Sequence, residues 1–414
     1  MSRQLAVKAN DYLNRLCLRI PNRRVGSEGN RAATGFFAEV ASAYGFRVET
    51  PEFRCIDWSD GGARLSAGSE SFEVFGSPYS LGVRADAPLA VVSTVDELEA
   101  VEAANRVLLV RGELAQEQLM PVNFPFYNPE KHRQIIGLLR AISPLAIVAA
   151  TSRNPELAGA VYPFPLIEDG DFDIPSAYMT EEEGARLAVH AGGMVSLGSS
   201  AQRIPSTGCN VVALKGLSTA LRVVFTAHID AKRGTPGALD NAAGVAVLLL
   251  LAGLLEGYEG RLGVELVALN GEDYYAAPGE ISYLEQNRGK LQDIVLNVNL
   301  DAPGYRLGDT AYSLYGCQNE LAAAIRGALS GREGMIEGAA WYQGDHMVFV
   351  QNQVQAMAIT SERFMEIETT VAHTTLDRPE LVDPCKLASL ALTLRDLLLA
   401  FEVTLSESVT RHDM

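Results

Sequence analysis

The residues of this chain that could do chemistry are two histidines and several acids that stand beside apolar runs. Five of them are of types that bind metal ions: His228, Asp240, Asp273, Asp301 and His373. Three follow short β-rich runs, at 221–226, 264–269 and 294–298. Asp240 stands just before the long apolar stretch 242–255, and His373 lies near the C-terminus. The pattern therefore predicts one cluster built from several separate segments.

Their spacing is what a pair of metal ions requires. In an open α/β sheet, functional groups collect where the loops converge at the carboxyl ends of the strands. Two divalent ions held ~3.5–4 Å apart need a bridging carboxylate, plus one imidazole and one carboxylate each. The five residues supply that count, and Asp240 is the natural bridge.

Two further carboxylates are left over next to these candidates. Glu272 adjoins Asp273 and has no place in the ligand count, so it is the expected general base for a water molecule activated at the metal ions. Asp230 lies two residues after His228 on the same side of an extended strand end. We expect it to accept the second imidazole N–H of His228 and to fix the tautomer.

Each motif alone has a simpler interpretation. A single His-x-Asp at a strand end is more often a hydrogen-bonded core histidine, and Glu-Asp after a strand is more often the start of a helix. The chain has only six histidines, however, and both that the pattern needs stand where it needs them. The combined pattern favours the metal site.

The segment from about 228 to 373 resembles the M28 family of zinc aminopeptidases. The matching segments are His228-x-Asp230, 237–244, 270–273, 299–301, Gly344-Asp345-His346 with Phe349, and His373-Thr374 with Asp377. The resemblance implies an α/β fold, a three-layer α/β/α domain with a mixed, largely parallel sheet, and two divalent metal ions, expected to be Zn²⁺. It also implies that His228 and Asp301 hold one ion, that Asp273 and His373 hold the other, and that Asp240 holds both.

Spacing separates this family from its relatives. The M20 enzymes carry a dimerisation domain between the fourth and last ligands, and the interval from Asp301 to His373 is too short for one. The M42 enzymes insert a domain between the first histidine and the bridging aspartate, which here are close together. One departure stands out: the family usually has Glu-Glu where this chain has Glu272-Asp273, which leaves the identity of the second ion open.

Composition narrows the class of protein. The chain has 414 residues, is 48% hydrophobic and carries a formal net charge of −17. The acidity disfavours nucleic acid and anionic membranes as partners, and no apolar run is long enough to span a bilayer. Charges within the first eleven residues argue against a signal peptide, so we expect a cytoplasmic protein with five reduced cysteines. A homo-oligomer is left open.

The region without ligand candidates indicates a second domain. Residues 1–55 and 209–414 are expected to form the catalytic domain, and 56–208 an inserted domain similar to the protease-associated (PA) domains of many M28 chains. Short β-like runs at 89–92, 107–110 and 146–150 alternate there with helical stretches. We expect this domain to stand over the cleft and to limit access to short peptides, or else to pack away from it. An aromatic loop at 124–127 is either an exposed lid or a packed loop.

The function that these features imply is hydrolysis of N-terminal residues from peptides with a free N-terminus. Glu272 would take a proton from the attacking water and return it to the leaving amine. Tyr342, just before Gly344-Asp345-His346, is a candidate donor to the developing oxyanion, or a buried aromatic residue hydrogen-bonded to the backbone. The alternatives are a glutaminyl-cyclase-like acyltransferase with one zinc ion and a non-catalytic binding module of the same fold.

Overall fold

The chain folds into two compact units that are not each continuous in sequence. The computed structural model describes residues 2–20, 22–153, 161–216 and 221–412. The first unit comprises Met1–Phe53, Thr207–Tyr274 and Pro278–Met414; the second comprises Arg54–Ser206 and Tyr275–Ala277. The assignment of the second unit to the PA class stays a prediction.

Eighteen strands and eleven helices are found in the described residues. The strands are β1 Arg47–Glu49, β2 Glu52–Ser59, β3 Ala63–Ala67, β4 Glu70–Phe72, β5 Phe75–Gly76, β6 Val83–Val92, β7 Val107–Val110, β8 Ala146–Thr151, β9 Ser176–Thr180, β10 Met194–Ser199, β11 Gln202–Cys209, β12 Val211–Lys215, β13 Arg222–His228, β14 Gly263–Leu269, β15 Ile294–Leu300, β16 Thr310–Tyr315, β17 Met335–Glu337 and β18 Ala356–Ser361. The helices are α1 Ser2–Asn14, α2 Glu28–Ala43, α3 Val95–Ala100, α4 Glu130–Ile142, α5 Glu181–Ala188, α6 Ala243–Leu254, α7 Pro278–Gln286, α8 Asn319–Leu329, α9 His346–Gln351, α10 Phe364–Thr370 and α11 Pro384–His412.

The first unit is built on an eight-stranded mixed sheet. Its strand order is β1-β12-β14-β13-β15-β18-β16-β17, and the four central strands β14, β13, β15 and β18 run parallel. Thr226 pairs with Asn299 across β13 and β15, so the same register brings His228 level with Asp301. Parallel strands with this register end together, which gathers the loops after them at one edge.

Helices cover both faces of this sheet. On one face lies α6, whose residues from Ala243 to Ala252 are all buried, in contact with α1 and α11. A helix that is apolar all round needs cover on every side, which α1 and α11 supply together with the sheet. On the other face Glu265 of β14 receives a hydrogen bond from Tyr283 of α7, and Tyr283 packs against Phe349 of α9. The predicted three-layer α/β/α fold is confirmed.

The first two helices begin earlier than their apolar patterns suggest. The pattern predicts helices over 10–21 and 31–44, whereas α1 begins at Ser2 and α2 at Glu28; Pro21 lies outside the described residues. The Ser27 hydroxyl accepts a hydrogen bond from the Asn30 N–H, 3.1 Å away. This N-cap starts α2 inside the segment 24–30, which the sequence predicts to be a loop, because it satisfies one of the amides that a helix leaves unpaired at its start.

The second unit has its own eight-stranded sheet and core. The strand order is β4-β3-β10-β6-β7-β8-β9-β5, with β6 to β9 parallel. The β-like runs at 89–92, 107–110 and 146–150 lie in β6, β7 and β8. Apolar clusters form on both sides of the sheet. In the aromatic loop, the rings of Phe124 and Phe126 lie 5.8 Å apart, and Tyr127 is exposed.

Among the described residues, none of the helices is both long and apolar enough to cross a bilayer.

One buried arginine ties the N-terminal segment to the loop that follows β13. Arg23 is 2% exposed, and its guanidinium donates hydrogen bonds to four backbone carbonyls, those of Leu16, Ile229, Pro236 and Gly237, at 2.8–3.1 Å. The planar guanidinium has five donors in a fixed geometry, which no other side chain can reproduce. The loop it holds leads directly to Asp240.

We predict that Arg23→Met lowers the free energy of unfolding by about 3 kcal/mol or more, because it leaves buried carbonyls without donors. The exposed Arg19 provides the matched control, and Arg19→Met should change stability by less than about 0.5 kcal/mol. Urea unfolding of both variants measures the difference. Equal stability of the two variants would show that the carbonyls find other donors.

Candidate metal centre

The five candidate ligands come together at one edge of the first unit's sheet. His228 is the last residue of β13, Asp301 follows β15, and Asp273 lies four residues after β14. Asp240 lies in the irregular turn before α6, and His373 follows α10 with a left-handed φ of 60°.

The turn that carries Asp240 is held by another carboxylate. Asp377 accepts hydrogen bonds from the backbone N–H of Leu239 at 2.7 Å and of Asp240 at 3.0 Å. On its other side, Asn241 donates to the carbonyl of Leu300 and accepts from the N–H of Gly244. A Cβ at Gly244 would lie 2.4 Å from the Asn241 Oδ1. Glycine is therefore required where α6 approaches this turn.

The loop that carries Glu272 and Asp273 is held by Asp230. Its Oδ1 accepts from the N–H of Gly271 at 2.7 Å, and its Oδ2 accepts from the N–H of Asp273 at 3.1 Å. The sequence predicts instead that Asp230 bonds to His228, but their nearest atoms, Nδ1 and Oδ1, lie 3.8 Å apart. This distance is longer than a hydrogen bond. In the structure Asp230 orients the loop beside the imidazole.

A buried amide network fixes the start of the same loop. Asn30 and Asn270 exchange two side-chain hydrogen bonds, at 2.8 and 2.9 Å. Asn210 accepts from the backbone N–H of Asn270 and donates to the carbonyl of Gly279. The loop is thus anchored to the N-terminus of α2 and to β12.

Asp240 lies between the two histidines. Its Oδ1 is 3.1 Å from His228 Nε2, and its Oδ2 is 3.0 Å from His373 Nε2. The same nitrogen of His228 is 3.6 Å from Asp301 Oδ1, and that of His373 is 2.9 Å from Asp273 Oδ1. The site therefore consists of two sets of donor atoms that share one carboxylate.

The spacing and chemistry of these atoms fit divalent metal ions. Ligand atoms at ~2.0–2.2 Å from a tetrahedral zinc ion lie roughly 3.3 Å from one another, close to the distances within each set. Neither ring nitrogen of His228 makes a hydrogen bond among the described residues, although the side chain is fully buried. Nitrogen and carboxylate oxygen are both ligands that zinc accepts.

The electrostatics of the site favour cations. Burial lowers the pKa of His228, but the carboxylates of Asp240 and Asp301 outweigh burial and hold this pKa well above its usual value. The pKa of His373 is raised in the same way by Asp273 and Asp240. Burial raises the pKa of Asp240, but the two imidazoles prevail and lower it.

Glu272 is only partly exposed and interacts electrostatically with the two ligand sets. Burial raises its pKa well above the usual value; the charge of His228 lowers it, and the carboxylates of Asp273, Asp301 and Asp240 raise it further. Glu272 belongs to neither set of donor atoms. It interacts electrostatically with His228 and with three of the candidate carboxylate ligands, and it takes no part in the shared-carboxylate arrangement.

Two further buried carboxyl groups lie near Glu272. Burial and the charge of Asp230 raise the pKa of Glu280 to about 7. Burial, Glu280 and Glu272 raise the pKa of Asp345 well above its usual value. Each is 2% exposed. Asp345 belongs to a motif visible in the sequence, but nothing in the sequence around Glu280 marks it as buried, since it stands near the start of a helix where acids are common.

Glu368 also lies within electrostatic reach of the cluster. Burial raises its pKa to about 8, with His373 lowering it and the carboxylates of Asp240, Asp301 and Asp273 raising it. Its side chain is only partly exposed. The sequence pattern does not single it out, because one glutamate in the acidic run 362–368 looks like a surface residue.

Tyr342 lies on the surface. It is 70% exposed, and its ring meets that of Tyr315 edge-on with centroids 6.0 Å apart. Within the described residues, no hydrogen bond or ring contact joins Tyr342 to any of the five ligand candidates. The role of Tyr342 as an oxyanion donor therefore stays a prediction.

Part of the chain is similar in sequence to known peptidases. Residues 210–398 match the model of "Peptidase family M28". A curated relative, "Probable lipoprotein aminopeptidase LpqL" of Mycobacterium tuberculosis (strain ATCC 25618 / H37Rv), is 25% identical over 310 residues, which are 70% of this chain. The chain spans 58% of the length of that relative.

Solved structures share the fold. An aminopeptidase from Aneurinibacillus sp. strain AM-1 superimposes with a TM-score of 0.73 at 19% identity, covering 95% of this chain and 93% of the other. A zinc aminopeptidase from Bacillus subtilis gives a TM-score of 0.72 at 17% identity, covering 95% and 94%. The segment that matches the M28 family model, residues 210–398, contains all five candidate ligands.

Proposed function

We propose that the chain is a metal-dependent aminopeptidase that removes N-terminal residues from peptides. The observation that carries this proposal is the carboxylate of Asp240, whose two oxygens each face a different histidine. The partly exposed carboxyl group of Glu272, which is not one of the candidate ligands, interacts electrostatically with the same cluster. This combination is what hydrolysis at a pair of divalent ions requires.

The donor sets assign ligands to two ions, expected to be Zn²⁺. His228 and Asp301 would hold the first, Asp273 and His373 the second, and Asp240 both. When bound, such ions polarise the carbonyl group and lower the pKa of water towards neutrality.

Glu272 would move the proton in this reaction. Its carboxylate accepts a proton from the attacking water, whose oxygen bonds to the peptide carbonyl carbon. The same carboxyl group then returns the proton to the leaving nitrogen as the C–N bond breaks. Asp230 acts through the loop: by accepting the amides of Gly271 and Asp273 it fixes where Glu272 stands.

The substrate class is inferred from proteins of similar sequence and fold. Proteins of similar fold are aminopeptidases, so we expect peptides with a free N-terminus as substrates here. Cytoplasmic location, a homo-oligomer and control of access by the second unit stay predictions. The glutaminyl-cyclase-like acyltransferase and the binding module are not favoured by the family match.

We predict that Glu272→Gln keeps fold and metal content but hydrolyses an aminoacyl-coumarin substrate at least about a hundredfold more slowly, the scale of general base catalysis. Plasma mass spectrometry measures the metal content of the same preparation. Glu285→Gln, which neutralises an exposed glutamate on α7, is the matched control and should retain full activity. Turnover close to that of the unaltered chain in Glu272→Gln would assign the base to another group.

We predict that Asp240→Ala releases both ions, whereas Asp301→Ala releases mainly one, because only Asp240 reaches both histidines. Metal content per chain after gel filtration separates the cases, with circular dichroism as the check on folding. Unchanged metal content in Asp240→Ala would contradict the shared-ligand assignment. One ion per unaltered chain, with cyclisation of N-terminal glutamine, would instead identify the acyltransferase.

A further inference from the structure

Glu368 lies on the helix that delivers His373 to the metal centre. It belongs to α10, Phe364–Thr370. The carbonyl of Ile367 accepts hydrogen bonds from the backbone N–H groups of Val371 and Ala372, at 2.8 and 2.9 Å. The chain therefore turns at the end of α10 straight into His373. This short connection is consistent with the electrostatic action of His373 on the Glu368 carboxyl group.

The face of α10 that carries Glu368 also carries an aromatic contact. Phe364 and Glu368 are four residues apart and so lie on one side of the helix. The Phe364 ring packs on Trp341, with centroids 4.7 Å apart. A Cβ added to Gly344 would lie 2.9 Å from Trp341 Cζ3 and 3.1 Å from Asp301 Oδ2. The indole thus extends from α10 to the ligand Asp301.

Glu368 has no partner for its charge within the described part of the chain. No hydrogen bond or ion pair of its carboxylate is found there, and its side chain is only partly exposed. Its neighbour Glu366, in contrast, accepts from the Tyr305 hydroxyl and pairs with Arg363. A largely buried carboxylate is costly unless a donor or cation satisfies it.

We propose that Glu368 is the group that binds a primary ammonium of the substrate. This inference rests on the proposed function, since it places the cation of a peptide beside the centre that would cleave it. An ammonium has three donors and a full charge, so it satisfies a carboxylate that no protein donor satisfies. The aromatic faces of Trp341 and Phe364 add a surface that favours a cation.

The ammonium has two possible sources in a peptide, the N-terminus and a lysine side chain. Both offer the same chemistry to Glu368, so ligand pairs that differ only in one amine distinguish them. L-Leucinamide and 4-methylpentanamide differ in the α-amine. L-Lysinamide and L-norleucinamide differ in the side-chain amine.

The experiment measures binding by calorimetry to the metal-loaded chain that carries Glu272→Gln, so that no hydrolysis interferes. Adding Glu368→Gln should weaken binding of the amine-bearing member of one pair by about 10- to 100-fold, the range expected for a hydrogen-bonded ion pair. Binding of the other member of that pair should stay within about threefold, because that ligand lacks the ammonium that Glu368 binds. Adding Glu380→Gln, which neutralises an exposed glutamate instead, should leave both pairs unchanged.

Each outcome decides the matter. Weaker binding of L-leucinamide, L-lysinamide and L-norleucinamide, with 4-methylpentanamide unchanged, identifies the N-terminal ammonium. A loss confined to L-lysinamide identifies the side-chain ammonium. If Glu368→Gln alters neither pair, or if it lowers metal content, the proposal is overturned. Calorimetry needs no turnover. A chain that fails to hydrolyse peptides would therefore contradict the proposed function, and its binding measurements would still test this inference.

With Glu272 intact, the kinetic signature separates binding from a structural defect. Glu368→Gln should raise KM for the affected substrate by about tenfold and leave kcat within about threefold, as expected when an interaction common to ground and transition states is lost. A fall in kcat with unchanged KM would show that Glu368 supports the catalytic groups and does not bind the ammonium.

Discussion

The carboxylate of Asp240 lies between the imidazoles of His228 and His373, and much of the first unit serves to hold it there. One histidine ends a central strand, and the other follows a helix more than a hundred residues later. Only a sheet whose parallel strands end together, with loops returning to that edge, brings such distant residues within 3.1 Å of one carboxylate. The fully buried α6 fixes the turn in which Asp240 stands.

Backbone amides make this accumulation of acids tolerable. Asp377 and Asp230 each accept two main-chain N–H groups, and Asp273 accepts one from Lys232. A carboxylate that is bonded in this way is both held in place and partly compensated for the loss of water. Burial still raises the pKa of Asp377 to about 7 and that of Asp230 to about 6, so the amides offset only part of this loss. Burial likewise raises the pKa of Glu280 to about 7 and that of Asp345 well above its usual value.

The sequence predicts the parts of this arrangement that depend on local pattern. Apolar runs locate β13, β14 and β15, and the residue types after them identify His228, Asp273 and Asp301 as members of one cluster. The partner of Asp230 could not be found in this way, because a strand end leaves the carboxylate a choice between an imidazole and the amides of a neighbouring loop. Glu368 was missed for a related reason: its side chain becomes partly buried only when α10 packs in the folded chain, where Phe364 of the same helix meets Trp341.

The exchange of the family's second glutamate for Asp273 is accommodated by the loop. An aspartate is one methylene shorter and would be expected to fall short of a site shaped for glutamate. In this chain Asp273 Oδ1 still lies 2.9 Å from His373 Nε2, while its Oδ2 accepts from the backbone N–H of Lys232 at 3.1 Å. The backbone N–H of Asp273 is meanwhile bound by Asp230. Because one hydrogen bond holds the Asp273 carboxylate and another holds its backbone N–H, the shorter side chain stays within reach of His373 and loses rotational freedom.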